Sequence, residues 1–443
     1  MRNHSLARTM RHALLGLALC LPMAKPVCAK QTAATTAHLR LTIVLVRHGI
    51  RAPTQPGSEL DRYSAQPWPH WPVAAGQLTP HGRAGMQALG ARYRLRLAPP
   101  LGLAASGCAG TEQIVTIADS AARNHASAQA LLQGMAPGCA MRYQALPEGE
   151  RNALFDGGKA PAPPVRLEAE TRAQLAHLQA VLSACQHGRC ATAPPTRLLY
   201  EPATRDGSPA AASTLKLAGG LAENLMLEDV EGFDAAQLGW GRVDRAAVAQ
   251  LLALHNTSFA QSKRPLPVAT AAASNLLAHL LATVQAAVGQ TPSVAALAPP
   301  STRLLVLVGH DTNLATLGGL LGVQWHRSDR PDDYPPGGAL VLDLLERDGA
   351  PLLRVRTLMP SLSALRSGRL DDEALASSTL VLPGCHGEAL CPLPVASAWL
   401  RTRIDPAQVQ VALPAIRPRC KWRCRPCSPG RCHRSACHAR HVR

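Results

Sequence analysis

Hydrophobic residues in this chain come in two textures. The first is the short apolar run: Leu39 to Val46, Gln113 to Ala118 and Arg303 to Val308 are largely apolar and rich in β-branched residues, the pattern of buried strands. Cys139 to Leu146 predicts a further strand, and Gly337–Leu345 with Leu352–Leu358 predicts a final antiparallel pair. The second texture is helical. Thr79-Pro80 supplies an N-cap and a first-turn proline for a helix through Met86, Leu89, Ala91 and Tyr93, its arginines placed toward solvent. Ala121 to Gln133 predicts a helix closed by Gly134, and another runs from about Leu314 to Leu321. Strands alternating with helices predict an α/β fold on a parallel sheet.

The texture changes near residue 150. Glu168–Ser183, Ala210–Leu227, Asp244–Phe259 and Ala269–Val288 read as helices with no strand among them, and Pro147–Pro164 and Gln290–Pro300 read as loops. The expected organisation is therefore an α/β domain in two parts, 30–150 and 291–415, with a mostly α-helical insertion over 151–290. At the N-terminus, Arg2, Arg8 and Arg11 precede an apolar run from Ala13 to Leu21 and a small-residue box at Val27-Cys28-Ala29. Residues 1–29 thus read as a secretory signal peptide, too short for a membrane span. No later apolar run is read as spanning, so a soluble, periplasmic or secreted protein without a membrane partner is expected.

Charge changes this picture less than the formal +17 implies. Nine basic residues and no acid follow Ala415, and four more basic residues lie up to Ala29; removing both leaves a body of only +4. Nucleic acid is therefore not an expected partner. The tail, 416–443, spaces cysteines as C-x3-C-x2-C-x4-C-x4-C with histidines nearby, which invites a zinc reading. It has no hydrophobic periodicity, and we read it as a disordered or non-native extension. Of thirteen cysteines, six lie in the body. An oxidising compartment favours their pairing, with 15 connectivities open. Locality favours Cys185–Cys190 and Cys385–Cys391, leaving Cys108 with Cys139.

The chemistry gathers where apolar runs stop. Val46 gives way to Arg47-His48-Gly49-Ile50-Arg51-Ala52-Pro53, and Val308 to Gly309-His310-Asp311-Thr312-Asn313. In open α/β sheets ligands bind beyond the carboxyl ends of strands, so one crevice can receive both motifs. Arg123, opening the helix after Ala118-Asp119-Ser120, can enter the same crevice. Guanidinium pairs hold phosphate bidentately, and an imidazole nitrogen is a competent nucleophile toward phosphorus. The residues therefore assign themselves: Arg47, Arg51, Arg123 and His310 to bind a phosphate, His48 to attack it, and Asp311, held protonated, to give a proton to the leaving alkoxide. No metal and no cofactor is required. The other histidines, His70, His81 and His125 among them, are expected in loops or toward solvent.

These motifs resemble the histidine acid phosphatase family, branch 2 of the histidine phosphatase superfamily, and look most like bacterial periplasmic phytases and glucose-1-phosphatases. Further signals are W-P-x-W-P-V at Trp68–Val73, L-T-P-H-G at Leu78–Gly82, I-A-D-x3-R at Ile117–Arg123, G-W-G-R at Gly239–Arg242, H-N at His255–Asn256 and P-P-G-G at Pro335–Gly338. The resemblance implies an α/β, phosphoglycerate-mutase-like, doubly wound and mainly parallel sheet with an inserted helical domain. It implies a periplasmic, metal-independent phosphomonoesterase; a monomer acting on a small phosphate ester through the phosphohistidine read from the residues is expected. It places Thr54 near the substrate phosphate and lets Glu223 face the substrate. Gln55 stands where several phytases carry a lysine for a second phosphate group. A glucose-1-phosphatase or broad-specificity sugar-phosphate phosphatase, a phosphotransferase or mutase, and a non-enzymatic phosphate- or polyanion-binding protein are the competing readings.

Overall fold

The computed structural model describes residues 36–184, 199–201, 203–413 and 417–418. Among them the strands are β1 (His38–Arg47), β2 (Ile114–Ala118), β3 (Gln144–Ala145), β4 (Leu304–Gly309), β5 (Ala339–Arg347), β6 (Ala350–Pro360), β7 (Leu375–Leu380), β8 (Cys391–Pro392) and β9 (Arg417–Pro418). They form one sheet in the order β7-β6-β5-β1-β4-β2-β3-β9, with β8 beside β6. The β1–β4, β4–β2 and β2–β3 pairs are parallel, whereas β5 to β9 all join antiparallel. The sheet is mixed rather than mainly parallel. Its parallel half carries the polar strand tips, and its antiparallel half comes from the hairpin at the end of the chain.

The helices are α1 (Gly57–Leu60), α2 (Pro80–Leu97), α3 (Ala122–Met135), α4 (Ala169–Ser183), α5 (Pro209–Glu231), α6 (Arg245–Ser262), α7 (Leu266–Ala287), α8 (Asp311–Leu320), α9 (Leu362–Ser367) and α10 (Leu393–Arg401). Strand alternation sorts the central side chains onto two faces. Ile43, Leu45, Leu305 and Leu307 pack with α7 and α8; Val44, Val46, Val306 and Val308 pack with α2 and α3. A third core joins α4, α5 and α6 to Ile50, Leu60 and Trp68, so the helical layer is anchored on the loop that leaves β1. Helix α7 is long and apolar enough to cross a bilayer, contrary to the expectation that no such run exists. Its apolar character is used on the sheet, where 72% of its most apolar window is buried.

Thr79 caps α2 as expected, its side chain accepting from Gly82 N at 2.8 Å. Two local expectations fail for tertiary reasons. Gly134 lies inside α3, not after it, because a Cβ there would meet Gln87 O at 1.7 Å. Gly90 meets Leu131 in the same way, and these two glycines let α2 and α3 touch backbone to backbone. Arg94 is buried, not solvent-facing, and donates to Gly107 O and Ala109 O at 3.3 and 3.0 Å, bracing the loop that holds Cys108. Cys108–Cys139 and Cys385–Cys391 are disulfides. The Cys185–Cys190 pair and the signal segment 1–29 lie outside the described residues, as does the tail except Arg417–Pro418, which pair with β3.

Candidate active site

Pairing register brings the polar motifs together. Arg47 lies opposite Gly309, and Val308 lies opposite both Val46 and Ala118, so His48, Asp119 and His310 leave three adjacent strand tips at nearly one level. His48 N donates to Gly309 O and Asp119 N to Val308 O, both at 3.0 Å, which carries the ladder one residue past the strands. Two helices begin at this edge. Asp311 is the first residue of α8 and Arg123 the second of α3, so two helix N-termini add their preference for anions.

His48 is buried, and its Nδ1 lies 2.8 Å from Gly49 O. A carbonyl only accepts, so Nδ1 carries the proton and Nε2 the lone pair. Burial first, then the charges of Arg123, Arg47, His310 and Arg51, hold the imidazole well below the usual histidine range. His48 is therefore a neutral ring with a free basic nitrogen, ringed by cations. The His310 ring stands edge-on to it, with centroids 5.4 Å apart.

His310 is held from both sides. Its Nε2 donates to Asp119 Oδ2 at 2.7 Å, and its Nδ1 accepts from Arg123 Nη2 at 3.3 Å. Asp119 was legible in the sequence only as part of the motif that led to Arg123. Thr54 completes this side: a Cβ built on Gly76 would lie 3.8 Å from both Arg123 Nη1 and Thr54 Cγ2. Gln55 is exposed beside Thr54 and lines a cleft of about 400 Å³ with Trp68, His70 and Trp71.

Arg47 and Arg51 meet a carboxylate that is remote in sequence. Glu223, on α5, accepts from Arg47 Nη2, and both its oxygens accept from Arg51 Nη2, at 3.1 and 3.0 Å. Arg47 also donates to Tyr334 O, and its Nη2 lies 2.9 Å from Asp311 Oδ2. Burial opposes the charge on Arg47, but Asp311, Glu223 and Asp332 outweigh it and raise its pKa above the ordinary value. Glu223 responds in kind: burial pushes its carboxyl up, and Arg51 and Arg47 bring it far below the carboxylate range. Glu223 thus fixes two guanidiniums. The Nε–H groups of Arg47, Arg51 and Arg123 are buried with no acceptor among the described residues.

Asp311 departs from expectation. It is held as a carboxylate, because burial pushes its pKa up while Arg47, with help from His255 and Arg51, brings it below the ordinary value against Glu223. His255, expected in a loop or toward solvent, is fully enclosed on α6 with Nδ1 3.6 Å from Asp332 Oδ1. Burial lowers its pKa, but Asp332, Glu223 and Asp311 raise it overall. His125 and His279 are buried as well. Ligand atoms of Glu223, His255 and Asp311 lie within 4.8 Å of one another, the separation of a metal cluster. Glu223 and Asp311 are, however, already neutralised by Arg47 and Arg51, and a divalent ion would enter against two guanidiniums.

Residues 38–180 match the sequence profile of the histidine phosphatase superfamily (branch 2). That match covers the three arginines and His48 of the site. Phytase AppA of Escherichia coli is 28% identical over 394 residues, covering 80% of this chain and 89% of that protein. Glucose-1-phosphatase of Salmonella typhimurium is 26% identical over 396 residues, covering 82% and 92%. Among solved structures, the apo form of Hafnia alvei phytase superposes with a TM-score of 0.71 at 25% identity, covering 86% of this chain and all of that one. The branch 2 fold therefore extends well beyond residue 180, through the helical layer and the second half of the sheet. In class these relatives are phosphoric monoester hydrolases, the activity consistent with the site described above.

Proposed function

We propose that this protein is a histidine phosphatase, an exported acid phosphomonoesterase with phytase-like activity, hydrolysing inositol hexakisphosphate through a phosphohistidine. The observation that carries the chemistry is His48: its Nδ1 proton is committed to Gly49 O, which leaves Nε2 unprotonated, and the charges of Arg123, Arg47 and Arg51 act on the buried ring. Arg47, Arg51 and Arg123 hold the equatorial phosphate oxygens, which gives their unpaired buried Nε–H groups acceptors. His310 contacts a phosphate oxygen from its Nδ1 side, and Asp119 on Nε2 fixes the ring for that contact. Thr54 and Gln55 meet the rest of the ester.

His48 Nε2 attacks phosphorus in line while the ester P–O bond breaks. A phosphate dianion beside Arg47 offsets the field that keeps Asp311 ionised, so Asp311 takes up a proton at acidic pH and passes it to the leaving alkoxide. Asp311, again a carboxylate, then accepts a proton from the water that attacks the phosphohistidine. The P–N bond breaks and phosphate leaves. Arg47, Arg51, Arg123 and His310 stabilise the transferring group throughout, which is where most of the rate enhancement of phosphoryl transfer arises. The N-terminal signal pattern and the Cys108–Cys139 and Cys385–Cys391 disulfides support a periplasmic or secreted location.

The test is a label. Wild-type protein mixed with radiolabelled substrate and quenched in alkali should carry alkali-stable, acid-labile phosphate. His48→Ala should carry none, with turnover reduced on the order of 10⁴-fold or more. A labelled His48→Ala protein would refute the assignment. Release of phosphate from inositol hexakisphosphate in preference to glucose 1-phosphate separates the phytase reading from its nearest rival.

A further inference from the structure

Two buried ionisable groups take no part in the phosphoryl transfer itself: His255 on α6 and Asp332 in the loop that leads to β5. They face one another, His255 Nδ1 lying 3.6 Å from Asp332 Oδ1. Asn256, the next residue along α6, clamps that loop: its Nδ2 donates to Pro331 O at 2.7 Å, and its Oδ1 accepts from Asp333 N at 3.1 Å. Asp332 Oδ1 also accepts from Tyr334 N at 2.8 Å. Phe259 and Tyr334 wall the His255 ring, with centroids 4.5 and 6.1 Å away. Neither ring nitrogen of His255 has a hydrogen-bond partner among the described residues.

The same ring reaches the catalytic edge. One of its nitrogens lies within 4.8 Å of an oxygen of Asp311 and of an oxygen of Glu223. Such a span is short enough for one water molecule to bridge. The ionisable groups that face His255 are Glu223 from α5, Asp311 from α8, and Asp332 and Tyr334 from the loop; Arg47 and Arg51 are bound to Glu223. Helix α4, which also packs on α6, buries no ionisable side chain. Burial works against a charge on the ring, but Asp332, Glu223 and Asp311 outweigh it and raise its pKa above the ordinary value. In turn the His255 charge acts on Glu223 and Asp311, whereas His48 feels Arg123, Arg47, His310 and Arg51. Asp311 thus couples to His255 on one side and to Arg47, at the phosphate-binding edge, on the other. It is a carboxylate at the start of a reaction that requires it to be an acid.

We propose that His255 is the proton store of the site: as substrate binds, an imidazolium N–H of His255 passes its proton through a bridging water to the Asp311 carboxylate, which then gives it to the leaving alkoxide. The incoming phosphate drives the transfer. A dianion repels the Asp311 carboxylate beside it, and moving the proton onto Asp311 removes that negative charge. After the ester P–O bond breaks, Asp311 is again a carboxylate and His255 a neutral ring. Asp311 then accepts a proton from the water that attacks the phosphohistidine and returns it to His255. The pair ends each turnover as it began, with no proton drawn from bulk solvent. His255 acts through Asp311 and touches no substrate atom. The proposal rests on the phosphohydrolase reading above and names the source of its proton.

The experiment follows kcat/KM against pH in wild type and in His255→Gln. The substrates are inositol hexakisphosphate, whose leaving oxygen needs a proton, and p-nitrophenyl phosphate, whose leaving oxygen does not. Two groups that share one proton hold it to a higher pH than either would alone. The alkaline limb for the hexakisphosphate should therefore move down by about one pH unit in the variant, a loss of about 10-fold on that limb. For p-nitrophenyl phosphate the variant should stay within about 2-fold of wild type at every pH. A second measurement reads the ring itself, by nitrogen-15 magnetic resonance of histidine-labelled wild type, the His255 signal being the one missing from the variant. At about pH 6 the ring should be charged in the free protein and neutral once tungstate, a tetrahedral dianion with no proton to give, is bound. A limb that stays or moves up, equal losses on both substrates at every pH, or a ring that stays charged with tungstate bound overturns the proton store and leaves the phosphatase reading in place. The upward shift is what a fixed positive charge would give, since its loss raises the pKa of Asp311. A wild-type protein that turns over neither substrate overturns the phosphatase reading, and the proton store with it.

Discussion

Asp119 Oδ2 accepts a 2.7 Å hydrogen bond from His310 Nε2 across the neighbouring tips of β2 and β4. This contact fixes the ring that faces His48 and decides which of its nitrogens is left toward Arg123. Removing the carboxylate in Asp119→Ala should lower kcat by about 10- to 100-fold, the range for losing a hydrogen bond to a charged group. Asp119→Asn keeps an oxygen acceptor and should lose less. Steady-state kinetics on both variants, alongside thermal melts that stay near wild type, check this; a drop in melting temperature matching the loss of activity would instead mark Asp119 as structural.

Asp311→Asn should separate the two halves of the reaction. An alkyl phosphate needs a proton on its leaving oxygen, so its kcat should fall by about 10²- to 10⁴-fold. p-Nitrophenol leaves without that help, and only the hydrolysis of the phosphohistidine should slow. Stopped-flow measurement should then show a burst of nitrophenol equal to the enzyme concentration. Absence of a burst, with both substrates slowed alike, would contradict the role of Asp311 in the second half.

Glu228 is enclosed on α5, where Gly239 N donates to its Oε2 at 3.0 Å. Burial pushes its carboxyl up to about 8, against the smaller downward pull of that N–H. The folded protein therefore holds a proton that the unfolded chain has released above about pH 4.5. Its contribution to stability is complete below that value, declines as pH rises, and is gone above about 8. Glu228→Gln carries no ionisation there. Its melting temperature should equal that of wild type near pH 5 and exceed it by several degrees at pH 8; parallel pH–Tm curves would refute the argument.

Asp343 behaves in the opposite sense. It lies inside the sheet on β5, accepting from Thr42 Oγ1 at 2.8 Å, Arg356 Nε at 2.7 Å and Arg354 Nε at 3.0 Å. Burial raises its pKa, but Arg356 and Arg354 bring it below the ordinary aspartate value. Its stabilisation is thus full above about pH 4 and is lost as pH falls through the depressed value. Asp343→Ala leaves Arg356 buried without its partner and should cost about 3–5 kcal/mol by urea denaturation at pH 7. At low pH the difference from wild type should shrink.

The strand tips of this protein were determined by local sequence. Two apolar runs can be buried only as strands, and the residues that follow each run must then emerge at an edge of the sheet. Hence Arg47, His48, Arg51, His310 and Asp311 were identifiable from their order alone, and the helix cap at Thr79 followed from a three-residue rule. The antiparallel half of the sheet was less legible, because β7 and the two-residue β8 alternate too weakly or too briefly to register as strands. Tertiary structure alone decided what surrounds the tips. Glu223 reaches Arg47 and Arg51 from 176 and 172 residues away, Asp332 arrives from a loop that carries no signal of its own, and the motif at His255 did not reveal that its ring meets Asp332. Those contacts keep Asp311 ionised where the sequence predicted a proton. The physical reason is range: periodicity and capping act over a few residues, whereas a pKa or a charge cluster is the sum of every group that folding brings within several ångströms.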